Sequence, residues 1–100
     1  MTPDALRHST AADAVPPPGL SAPLLALWWD ARGDWTRAHE AAQAGDNTQS
    51  AWVHAYLHRR EGDLANADYW YRRAGRSRPA MPLEAEWAAI AAALLPVSPR

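Results

Sequence analysis

The chain contains no cysteine, no phenylalanine and no lysine. The missing thiols exclude disulfides, thiol catalysis and every zinc site built on cysteine. Without Phe, aromatic bulk comes from six Trp and three Tyr, each carrying an N–H or O–H that needs a partner once buried. Without Lys, all ten cations are Arg, a bias we read as that of a GC-rich bacterial genome. Net charge is also scarce. Ten cations against eleven carboxylates leave a formal −1 at pH 7, which argues against bulk attraction to nucleic acid or to an anionic membrane. Long apolar runs are lacking too: "LLALWW" and "WAAIAAALLP" fall far short of the roughly 20 residues a membrane-spanning helix needs. The opening "MTPDALRHSTAADAVPPPG" has no basic start followed by an apolar stretch, so no signal peptide is expected and a cytoplasmic location is.

At 100 residues the chain is one domain, near the size at which a single core only just suffices. Residues 1–19 end in Pro16, Pro17 and Pro18, which favour extended geometry and stop a helix from running through them. This stretch reads as a flexible arm or, alternatively, as a polyproline ligand. Residues 20–96 read as the folded domain and 97–100 as a tail.

Within the domain the punctuation is regular. Gly-Asp recurs at Gly33-Asp34, Gly45-Asp46 and Gly62-Asp63, each after a stretch with helical spacing of apolar residues. Gly tolerates the left-handed conformation that ends a helix, and the Asp carboxylate accepts from the free N–H groups that open the next. Gly75 supplies a fourth stop, while Pro82 and Pro96 bracket a last helix. The expectation is an all-α fold of five helices, roughly 22–32, 35–44, 48–61, 64–74 and 82–95, packed as antiparallel hairpins with a C-terminal capping helix.

Sliding the chain by 29 residues lays Gly33 on Gly62, Asp34 on Asp63, Trp35 on Leu64 and Ala38 on Ala67, so the two hairpins are of one type. From Gly62, the order Gly-Asp-Leu, then Ala67, Tyr71, Ala74 and Pro79 resembles the second half of a tetratricopeptide repeat. The preceding "SAWVHAYLHRR" matches more loosely, with His54 and His58 where that family prefers Leu and an aromatic. The first copy has Ala42 for the aromatic and no closing Pro.

The resemblance implies binding: tetratricopeptide proteins present the first helix of each hairpin along a groove that holds a peptide or protein. Carried to this chain, it gives a face of Gln49, Trp52, Tyr56, Arg59 and Arg60, residue types enriched at binding hot spots. The same Trp52 and Tyr56 also read as core. The expected function is a small non-catalytic adapter with a protein or peptide partner, without cofactor, nucleic acid or membrane.

A different class of reading rests on His54 and His58, four apart on one helix with Glu61 three further on, a spacing that can seat a metal but needs a third ligand from elsewhere. Six Arg between Arg59 and Arg78 with Tyr69 and Trp70 could touch nucleic acid, and read more simply as a solvated face. His39-Glu40 and Asp68-Tyr69 are the available acid–base pairs, and no nucleophile or phosphate loop supports an enzyme. Finally, both faces of "PLLALWW" and the stripe Leu83, Trp87, Ile90 and Leu94 call for burial, which points to a homodimer through the first or last helix or, alternatively, to those two helices packing on each other or being covered by the arm before Gly19.

Overall fold

The structure, a computed structural model, describes residues 1–96. It is all-helical: α1 (Pro3–Ala12), α2 (Ala22–Ala31), α3 (Trp35–Ala44), α4 (Thr48–Glu61), α5 (Leu64–Arg73) and α6 (Leu83–Leu94). The tail expected at 97–100 lies outside the described residues. No helix is long and apolar enough to cross a membrane among the described residues.

Two of the three Gly-Asp pairs work as stop and start in one device. At Gly62, φ is +88°, its N–H donates to Arg59 O and the Asp63 N–H donates to His58 O. These are the paired bonds of a Schellman turn, which require a residue that accepts positive φ. Asp63 then caps α5 by accepting from Asn66 N, as Asp34 after Gly33 caps α3 by accepting from Arg37 N. Gly45-Asp46 is a correction. Gly45 has φ −92°, and the cap of α4 is Asn47, accepting from Ser50 N. Glycine is needed there for space: a Cβ on it would stand 1.9 Å from Ser50 Oγ.

The second correction concerns residues 1–19, where the structure has a helix in place of a flexible arm. Thr2 caps α1 by accepting from Ala5 N and Pro3 sits in the first turn. Leu6 is fully buried, the Trp28 indole donates to Ser9 Oγ at 3.1 Å, and Arg7 lies over the Trp87 ring. Arg32 ties the helix end down by donating to the carbonyls of Thr10 and Asp13. Helix α1 ends at Ala12, ahead of the prolines at 16–18, which lie in the connection into α2.

Helices α2 and α3 form one antiparallel hairpin and α4 and α5 the next, with α3 against α4. Ala38 and Ala67, the equivalent small residues, are both fully buried, which lets the paired helices approach closely. Helix α6 packs on α4 and α2, and α1 closes over α2 and α6. Of the apolar residues on which a homodimer was expected, Leu24, Leu27, Trp28, Trp87 and Ile90 lie in the core of one chain, while Leu25, Trp29, Leu83 and Leu94 are half-buried.

Trp and Tyr donors account for three of the buried polar side chains among the described residues, Ser9, Asp30 and Glu86. Trp87 donates to Leu27 O at 3.0 Å and Trp35 to Leu57 O at 3.0 Å. Tyr56 donates to Asp30 at 2.8 Å, and Tyr71 to Glu86 at 2.7 and 2.8 Å. Asp30 and Glu86 are in turn met by Arg60 at 2.9 Å and Arg59 at 2.8 Å. An unpartnered buried hydroxyl or carboxylate would cost more than the pairing returns, so each of these four rings meets an acceptor in the core.

Candidate functional site

The face expected to bind a partner is largely internal. Tyr56 is fully buried, Trp52 is 8% exposed and Arg59 is half-buried, leaving only Gln49 and Arg60 in solvent. The reason is α6. It lies along α4, where a groove was expected, and takes Arg59 through Glu86, while Arg60 turns to Asp30 and to the Tyr56 hydroxyl. Burial pushes the Tyr56 pKa up, with the Asp30 charge acting the same way, so the hydroxyl stays a donor.

His54 and His58 are also buried. They do not stand alone: His39 of α3 packs edge-on to His54, with ring centroids 4.6 Å apart. Trp70 of α5 stacks on His54 at 3.9 Å, and Trp35 on His39 at 4.7 Å. Burial, reinforced by the neighbouring His39 and His58, lowers the His54 pKa to about 4, and His39 is lowered as well, mainly by burial. The sequence reading missed His39 and Trp70 because neither spacing is local; the neighbourhood arises from α3 and α5 both packing on α4.

A cavity of about 380 Å³ opens beside His54, lined by Asp46, Asn47, Ser50, Trp70 and Arg73 among others. Ser50 Oγ, inside it, is a buried polar atom with no hydrogen-bond partner.

A cluster of arginines lies at the end of α5. Gly75 closes that helix with the same paired turn, Gly75 N–H to Arg72 O and Arg76 N–H to Tyr71 O, which fixes where Arg76 leaves the helix. Its guanidinium sits 3.4 Å from the Trp52 ring centroid. Arg73 donates to the Tyr69 hydroxyl at 3.1 Å and lies over Trp70. Arg72, Arg76 and Arg78 line one depression of about 340 Å³ with Asp68, Tyr71 and Ser77. Arg78 is paired with Asp68 at 3.0 Å, and among the described residues Arg72, Arg73 and Arg76 meet no carboxylate. Tyr69 beside them is 43% exposed.

Comparison with protein-family models, with curated proteins and with solved structures finds no match to this chain.

Proposed function

We propose that the chain is a small non-catalytic interaction module of the cytoplasm that docks an acidic segment of a protein partner on the arginine end of α5. The observation that carries this reading is that, among the described residues, Arg72, Arg73 and Arg76 have no carboxylate partner, whereas Arg59, Arg60 and Arg78 of the same run each have one. Cations preorganised on aromatic rings, as Arg76 is on Trp52 and Arg73 on Trp70, lose little freedom when they pair with an incoming carboxylate. Exposed Tyr69 adds flat apolar area next to the charges. The buried carboxylates Asp30 and Glu86 are engaged by tyrosine and arginine in holding helices together, which fits a module without chemistry of its own.

The test is fluorescence anisotropy with a labelled ten-residue peptide of Glu, Asp and Leu, against a labelled single-stranded oligonucleotide of equal charge. The reading expects the peptide to bind, to weaken with salt, and to lose about tenfold or more in affinity in Arg72→Glu/Arg76→Glu. Preference for the oligonucleotide, or equal peptide affinity in the double variant, overturns it.

A further inference from the structure

Away from the arginine end, three imidazoles from two helices meet in the hollow between α3, α4 and α5. His54 and His58 stand one turn apart on α4 and so share a side of that helix. His39 comes from α3. One ligand nitrogen from each of the three lies within 4.8 Å of the other two. Indoles hold the rings from outside, Trp35 stacked on His39 with planes 14° apart and Trp70 stacked on His54 with planes 15° apart.

The third member is oriented by a carboxylate. His58 Nδ1 lies 2.6 Å from Glu61 Oε1, and this is the one hydrogen bond made by a ring nitrogen of the trio among the described residues. With Nδ1–H donating to Glu61, the lone pair of a neutral His58 is on Nε2, the carboxylate–histidine arrangement that orients metal ligands elsewhere. Nitrogens about 2.0–2.1 Å from a tetrahedral ion stand roughly 3.3 Å apart, so closing a triangle of sides up to 4.8 Å takes a movement of under about 1 Å per ring.

We propose that His39, His54 and His58 bind a divalent first-row transition-metal ion, zinc foremost, with water in the fourth position. Imidazole donors with no thiolate or carboxylate in the set suit zinc, copper, nickel or cobalt and disfavour magnesium and calcium. The ion would clamp α3 to α4, the junction between the two hairpins, so binding adds directly to stability.

The experiment uses the untagged chain, stripped with chelator and titrated with zinc and with cobalt. At zinc 100-fold above its Kd the melting temperature should rise by about 10 °C or more, and magnesium should leave it unchanged. Cobalt should give the intense visible bands of a tetrahedral site. His39→Ala, at a half-exposed position where folding is least at risk, should abolish both signals, and His54→Gln should do the same. His8→Ala, on the outer side of α1, should abolish neither. A second group, His58, Glu61 and Asp63, also has ligand atoms within 4.8 Å of one another, and Asp63→Asn separates it from the trio. Absence of a zinc shift in the wild type overturns the proposal. So does binding that survives His39→Ala, or binding lost in Asp63→Asn while that variant stays folded.

Discussion

The carboxylate of Glu86 on α6 accepts the hydroxyl of Tyr71 on α5 through both oxygens, at 2.8 and 2.7 Å, in a site where Glu86 is 2% exposed. Arg59 of α4 supplies the opposite charge at 2.8 Å. This junction holds the last helix over the second hairpin. Glu86→Ala strands both partners, and should lower unfolding free energy by about 3–5 kcal/mol in urea titration. The triple change Glu86→Leu/Arg59→Met/Tyr71→Phe should recover most of the loss, since it removes every stranded partner and apolar replacements of a buried pair are often neutral. A Glu86→Ala variant within 1 kcal/mol (roughly a surface-residue effect) of wild type would mean α6 is not seated there.

Helix α1 is tested by the same measurement. Leu6→Ala removes a fully buried side chain and should cost about 2–5 kcal/mol. Leu64→Ala, at a position 43% exposed, should cost less than about 1 kcal/mol. Equal small effects would return residues 3–12 to the flexible arm that the sequence suggested.

Helices α2 to α6 were legible because their ends are written locally: Gly33-Asp34 and Gly62-Asp63 each contain both the stop and the next cap. Thr2-Pro3 is an equally local start signal for α1, but its apolar content is slight. What decides its place is distant, the meeting of Leu6, Arg7 and Ser9 with Trp28 and Trp87. The binding face failed for a related reason. Periodicity put Trp52, Tyr56 and Arg59 on one side of α4, but could not say that α6 would occupy that side. The spacing of His54 and His58 was visible, whereas His39 joins them only through the crossing of α3 on α4.

Close approach within the second hairpin gives a third prediction. Ala67→Leu forces three extra carbons into a site with no exposed surface and should cost about 1–3 kcal/mol. Unchanged stability would mean that α5 is turned differently on α4.

Asp30 gives a pH dependence. Burial is the largest influence on its carboxyl and raises the pKa above the ordinary 3.8, against the Tyr56 hydrogen bond and the charges of Arg60 and Arg7. The folded chain therefore holds this proton more tightly than the unfolded chain. The resulting stability is present below 3.8 and is lost as pH rises through the raised folded value. Relative to Asp30→Asn, the wild type should lose stability as pH rises across that window, read from urea midpoints at about half-unit steps. A wild type that gains on the variant as pH rises would show that Arg60 outweighs burial.

The central claim is that α6 fills the inner face of the hairpins and leaves the arginine end of α5 as the docking surface. Backbone and indole NMR shifts, followed while the acidic ten-residue peptide is added to isotope-labelled protein, test both halves together. The account predicts changes at Tyr69, Arg72, Arg73, Arg76 and the Trp52 indole, with the Trp87 indole unmoved in its bond to Leu27. Changes centred on Gln49, Tyr56 and Arg60 with displacement of the Trp87 signal would contradict it.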